Sequence, residues 1–144
     1  LEPKAEFRTW ASDAAPPSHS VPSAVAGKVA STFGPSAFHD YHRALLHAYF
    51  AENRTISDRS VLVAVAGDVG LEVDLFSERF DSGYAQIEQE VLAEHNAAIQ
   101  AGITAVPSVV VGRRYLVTGA VDEEQYRKVI GKARDEGLTA EGRP

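Results

Sequence analysis

The chain has no cysteine and no methionine in its 144 residues. The first absence removes disulfides, zinc–thiolate sites and any thiol nucleophile from this chain. It carries no direct information on compartment. The second absence extends to position 1, which is Leu1. Removal of an initiator methionine favours small second residues, so Leu1 reads as an internal residue of a processed, trimmed or engineered piece of something longer. No apolar run approaches the ~20 residues of a membrane span. The N-terminus lacks the basic, apolar and small-residue order of a signal peptide. A basic stripe is missing too. Net charge is −6 and the sequence pI is about 5.3. Apart from Arg113 and Arg114 the cations are scattered, which argues against neutralisation of a nucleic-acid backbone. The chain is 44% hydrophobic and 24% charged. That is the makeup of one ordinary soluble domain, long enough to bury a core.

EFRTWA (residues 6–11) alternates polar and apolar residues and predicts a short strand. The Ser- and Pro-rich stretch 12–22 predicts a surface loop, with Pro22 suited to the first turn of a helix through Val25 and Val29. That helix is expected to stop near Gly34 and Pro35. Ser36 is placed to cap the next one, whose Phe38, Tyr41, Leu45, Leu46, Tyr49 and Phe50 recur at three- and four-residue steps. Ser57 precedes a helix carrying Val61, Leu62 and Val65, with Gly70 as its left-handed stop. Asp74 is expected to cap a short helix with Leu75, Phe76 and Phe80 that ends at Gly83. Tyr84 to Ile99 then line one long helix, stopped by Gly102. Beyond it the pattern changes. Ser108–Val111 is a β-branched run, Gly112 to Arg114 a tight turn, and Tyr115–Thr118 a second strand, together a β-hairpin. Asp122 and Gln125 form a capping-box pair for the last helix, with Val121 and Tyr126 as its hydrophobic staple. Residues 137–144 read as a flexible tail.

Several residues invite chemistry and have a plainer explanation. His39 and His42, three apart on one helix, have chelating spacing without an evident third ligand, so a surface or half-buried pair is the better reading. His95 falls on the apolar face of its helix and is expected to be a hydrogen-bonded core histidine. His19 lies in a loop with no visible partner. Ser12, Ser18 and Ser20 beside Asp13 and His19 lack a nucleophile elbow or oxyanion-hole motif, and turn or cap roles explain them. Arg113 and Arg114 are expected to be solvated turn charges, and Trp10 and the aromatic stripe to be packing residues.

GITAVPSVVV (residues 102–111) is the most informative stretch. A glycine helix stop leads within five residues to Val106-Pro107 at the mouth of a β-branched strand. Proline cannot donate to a ladder, so it fits a strand's start or edge, and it pushes Val106 to an extended conformation. A cis bond there is expected to tighten the turn and leave the backbone groups of Val106 facing outward.

This segment resembles the cis-proline loop of thioredoxin-like proteins. The wider match is to the DsbA family, particularly its FrnE-like branch. It rests on AFHDYHRALLHAYFAENRTISDRSVL (residues 37–62), AGITAVPSVVVGRRYLVTGA (101–120), the closing helix, and SVPSAVAGKVA (20–30) as the first insert helix. EFRTWA fits the family's second sheet strand. The resemblance implies an α/β fold, a thioredoxin-like sheet with an inserted helical domain, whose N-terminal strand and first helix are absent from this chain. Residues 1–19 and 102–136 are then the sheet portion and residues 20–101 the helical insert. The absent strand would lie between residues 6–11 and the hairpin. In such proteins a Cys-x-x-Cys motif at a helix N-terminus supplies a low-pKa thiolate, and the cis-proline loop offers backbone groups to an extended substrate. This chain departs from the family at that motif.

The resemblance therefore implies a thiol–disulfide oxidoreductase or isomerase of the DsbA/FrnE type as the parent protein. No residue of this chain is catalytic. Ala105, Val106 and Pro107 would hold an extended peptide or thiol substrate. The partners exclude nucleic acid and membrane, and a homodimer is left open. The compartment is expected to be the cytoplasm. No metal or cofactor is implied. Glutathione enters under an alternative, the kappa-class transferases and 2-hydroxychromene-2-carboxylate isomerases on the same scaffold. A non-catalytic thioredoxin-like binding module is the third reading.

Overall fold

The computed structural model describes residues 6–138. They form α1 (Val21–Ser31), α2 (Ala37–Phe50), α3 (Arg59–Asp68), α4 (Val73–Gln100), β1 (Ser108–Val111), β2 (Tyr115–Thr118) and α5 (Glu123–Asp135). The chain divides into two compact units, one up to Ala93 and one from Glu94.

The first unit is helical. Its core joins Val25, Val29, Tyr41, Leu45, Leu62, Val65, Phe76 and Phe80, all at most 6% exposed. Each comes from the apolar stripe of its helix, and burying such a side chain contributes about 2 kcal/mol. The Tyr41 hydroxyl is carried inside with its partner, donating to the Leu62 carbonyl at 3.1 Å. Burial pushes its pKa well above the ordinary value, because the phenolate would lose its hydration there. Arg79 closes α1 by donating to the Thr32 carbonyl and hydroxyl at 3.2 and 2.7 Å, its guanidinium 4.6 Å from the centre of the Phe33 ring.

Helix starts differ in detail from the sequence expectation. Ser36 occupies the cap position of α2, but its side chain accepts no hydrogen bond. Asp58, to which the sequence reading gave no role, caps α3 by accepting from the Ser60 N–H at 2.9 Å. Glu72 takes the role expected of Asp74: its carboxylate accepts from the Asp74 and Leu75 N–H groups at 3.1 and 2.7 Å.

Two expectations are overturned. Residues 6–11 are not a strand. Among the described residues the segment has no ladder partner, and two of its donors turn instead to the end of α2 and the loop after it. The Arg8 N–H reaches the Phe50 carbonyl at 2.8 Å and the Ala11 N–H reaches Asn53 Oδ1 at 2.9 Å. Phe7 and Trp10 lie against Phe50 and Tyr49 at ring-centroid distances of 5.2 and 5.8 Å. Gly83 does not end a helix either; α4 passes through it as one helix of 28 residues. Glycine costs about 1 kcal/mol inside a helix. Phe76, Phe80, Tyr84 and Ile87 run across it as one stripe packed on or within the core, which outweighs that cost.

The second unit holds the end of α4, the hairpin and α5. β1 and β2 pair antiparallel, with Ser108 opposite Thr118 and Val111 opposite Tyr115. The connection is three residues, 112–114: Gly112 and Arg113 make the turn with left-handed φ of 59° and 56°, and the Arg114 N–H reaches the Val111 carbonyl at 3.2 Å. α5 packs on both strands. Val117 and Ala133 are the buried hydrophobic side chains among this unit's described residues, at 4% and 3% exposed. Asp122 accepts from the Gln125 N–H at 2.9 Å, fixing the start of α5. Gly137 follows α5 at φ +72°, and the Leu138 N–H reaches the Ala133 carbonyl at 2.8 Å. The remainder of the expected tail, and residues 1–5 of the expected sheet portion, lie outside the described residues. No helix among the described residues is long and apolar enough to cross a membrane.

Candidate functional site

The loop between α4 and β1 is built from its ends inward. Gly102 closes α4 at φ +83°, and the next residue, Ile103, donates back to the Ala98 carbonyl at 3.0 Å. At the other end the Pro107 carbonyl accepts from the Gly119 N–H at 2.8 Å, extending the hairpin by one bond. Between them the Val106-Pro107 peptide bond is cis. The Ser108 hydroxyl donates to the Ala105 carbonyl at 2.6 Å, tying the loop to the start of β1.

Val106 stands at the apex. Its side chain is 90% exposed. Among the described residues its backbone N–H and C=O make no hydrogen bond. An unpaired donor and acceptor on one exposed residue, two positions before a strand, are what an incoming extended chain needs for a short ladder. Ala105 differs from Val106, because its carbonyl is already taken by Ser108. Next to the loop, the pair Val110 and Leu116 shares one face of the hairpin and stays 53% and 38% exposed. The site is thus an apolar rim with backbone polarity. Ser108, its ordered hydroxyl, was not singled out in the sequence. A Ser directly after a Pro that opens a strand was the available signal, since short hydroxyls bond local carbonyls there.

The other candidate residues lie elsewhere. His39 and His42 are exposed, and their rings meet Phe38, edge-on at 5.6 Å for His39 and stacked at 5.5 Å for His42. Among the described residues no group of three or more His, Cys, Asp or Glu side chains is placed to hold a metal ion. His95 is exposed, which corrects the expected core histidine. The apolar stripe of α4 leaves the core after Val91, so Leu92 and Ile99 are exposed with it, at 43% and 50%. His19 is exposed in its loop. Ser12 accepts from the Ala14 N–H at 3.2 Å, a turn role. Arg114 is not a free turn charge: it lies 3.5 Å from the Glu136 carboxylate, which also accepts from the Tyr115 hydroxyl at 2.6 Å. Arg113 carries the left-handed turn position instead.

Comparison with known proteins agrees with this architecture. A family model described as DSBA-like thioredoxin domain matches residues 14–131. The chain is similar to the uncharacterized protein YwbO of Bacillus subtilis (strain 168), with 30% identity over 92 residues. That stretch is 64% of this chain and 45% of the relative, so the chain spans about half the length of the curated relative it matches. With the matched region taking in the helical unit, the loop and the hairpin, the chain belongs to the family of DSBA-like thioredoxin domains.

Proposed function

We propose that this chain is the helical and substrate-holding portion of a thiol–disulfide oxidoreductase or isomerase of the DsbA/FrnE type. The observation that carries the reading is Val106: exposed, entering a cis peptide bond to Pro107, and with both backbone groups unpaired among the described residues. Val106 offers those groups to an extended peptide substrate, Pro107 fixes the approach, and Ala105 lies beside them as the loop's inner edge. Dithiol chemistry requires a thiolate that attacks a disulfide and is resolved through a mixed disulfide. The chain contains no cysteine, so both thiols come from a segment that this sequence does not include. The parent protein acts in the cytoplasm on a peptide or small thiol substrate.

Reading the natural gene upstream of Leu1 tests this directly. A Cys-x-x-Cys codon pattern supports the proposal, and disulfide-reductase turnover by the complete protein that disappears on Cys-to-Ser substitution establishes it. A serine at the first cysteine position, with stabilisation of the complete protein by millimolar glutathione, moves the assignment to the glutathione-dependent isomerase and transferase type. The total lack of thiols in this chain favours keeping that second reading.

A further inference from the structure

Bonded and non-bonded residue pairs alternate along an antiparallel ladder. The Gly119 N–H holds the Pro107 carbonyl, so the next bonded pairs of the hairpin are Val109 with Val117 and Val111 with Tyr115. The backbone groups of Ser108 and Val110 therefore line one edge, and those of Leu116 and Thr118 the other. Among the described residues neither edge has a further backbone partner. The two edges have different neighbours in the longer protein. On the oxidoreductase reading proposed for it, the thiol-bearing remainder meets Val106, which leads into β1, and so takes the β1 edge. The β2 edge is left open. Apart from its shortness it carries none of the usual guards: residues 115–118 hold no charge and no proline, and no bulge interrupts the register. Leu116 and Thr118 are both exposed.

We propose that the β2 edge pairs with the β2 edge of a second copy of this chain, antiparallel about a two-fold axis at Val117, so that the two hairpins form one four-stranded sheet. In this register Leu116 of each copy lies opposite Thr118 of the other, and each of these two reciprocal pairs exchanges two backbone hydrogen bonds. Charge favours the same arrangement. Beyond the last pair, Arg113 at the turn of one copy comes alongside residues 121–124 of the other, where Asp122, Glu123 and Glu124 open α5. Arg113 is exposed and has no carboxylate partner among the described residues. Glu123 and Glu124 are held by exposed cations one turn on in their own helix, a weak competitor for an incoming arginine. A four-residue edge buries little surface, so the dimer is weak and forms with rising concentration.

Sedimentation equilibrium of the whole chain from about 10 µM to about 1 mM tests this. The average mass is expected to climb toward twice that of the monomer. Over the same range, hydrogen exchange at the Leu116 and Thr118 amides is expected to slow, with Ser108 and Val110 unchanged. Thr118→Lys places a charge on the pairing edge and is expected to weaken dimerisation at least about tenfold, whereas Val110→Lys, on the other edge, leaves it as it was. Arg113→Glu and Glu123→Arg are each expected to weaken it about tenfold, roughly threefold for each of two symmetric contacts. An equimolar mixture of those two variants is expected to regain the native affinity, because every contact then joins opposite charges. Circular dichroism reports that each variant is folded. A monomer at every concentration overturns the proposal. So does protection that moves to Ser108 and Val110, with Val110→Lys as the disruptive change, and so does a mixture that fails to recover. No readout here involves a thiol or the Val106 amide, so such a failure leaves the reading of the Val106 loop standing.

Discussion

The N–H of Gly119 donates to the carbonyl of Pro107 at 2.8 Å, one step beyond the Ser108–Thr118 pair that begins the hairpin. That bond anchors the strand-side end of the loop carrying Val106. Gly119 reaches it with φ +84°, and a Cβ there would meet nothing within 4 Å. Space is therefore not the constraint; the left-handed backbone is.

Gly119→Ala is expected to destabilise the chain by about 1 kcal/mol, from the φ penalty alone. Gly131 gives the opposite sign. It lies inside α5, has no positive φ, and a Cβ there also meets nothing within 4 Å. Gly131→Ala is expected to stabilise by roughly 1 kcal/mol through helix propensity and a less flexible unfolded chain. Urea denaturation of both variants checks the pair. A shift of the same sign in both would show that local backbone preference does not set stability here.

The hairpin and the amphipathic stripes of α1, α2 and α3 were legible because each rests on a local period or a local turn signal. The Ser108–Thr118 and Val111–Tyr115 pairing follows from the β-branched run and the Gly112 turn. The two departures at Gly83 and at residues 6–11 have one cause: a non-local partner prevailed over a local signal. Gly83 looked like a stop, but its neighbours Phe80 and Tyr84 are held against the core, with ring centroids 5.3 Å apart. EFRTWA alternates like a strand, yet the carbonyl of Phe50 and the amide of Asn53 claim two of its donors. At the candidate site, the sequence located Val106-Pro107 through proline chemistry. The Ser108-to-Ala105 tie and the Gly119 anchor depend on loop closure that no spacing rule contains.

Tyr41 predicts an alkaline signature. Its hydroxyl donates to the Leu62 carbonyl inside the core, and burial raises its pKa well above the ordinary 10.0. With the folded pKa raised, the phenol's contribution to stability is fully present below pH 10.0 and is lost as pH rises beyond it. There the unfolded tyrosine releases its proton while the folded one keeps it. The slope attributable to this residue approaches about 1.4 kcal/mol per pH unit. Tyr41→Phe is expected to cost about 1–2 kcal/mol at neutral pH, by leaving the Leu62 carbonyl without its side-chain donor. It is also expected to flatten the alkaline slope. Thermal melts from neutral pH to above the tyrosine range check both. A parallel decline in the two proteins would place the titration on another residue.

The start of α4 depends on Glu72, whose carboxylate accepts two of the first-turn N–H groups. Glu72→Ala leaves both donors to water and removes a negative charge from the positive end of the helix dipole. The expected loss is about 1 kcal/mol. Glu72→Gln retains an acceptor and is expected to recover part of it. Hydrogen exchange at Asp74 and Leu75 reads the effect locally. Unchanged protection at those amides in Glu72→Ala would mean that the carboxylate is not the cap.

Two outcomes follow from the proposed role of the Val106 loop when the chain is taken by itself. Without a thiol it is expected to show no turnover in a disulfide-reductase assay, whatever the pH, since no side chain in it forms a thiolate. It is nevertheless expected to bind an extended peptide weakly through backbone groups alone. Titrating such a peptide into isotope-labelled chain is expected to move the amide resonance of Val106 first, with smaller shifts at Ser108 and Val110 along β1. The affinity is expected to be in roughly the millimolar range, because one or two exposed backbone bonds add little beyond the cost of association. A resonance map that moves elsewhere and leaves Val106 in place would remove this loop from the binding surface. The DSBA-like fold would then stand without its proposed substrate contact.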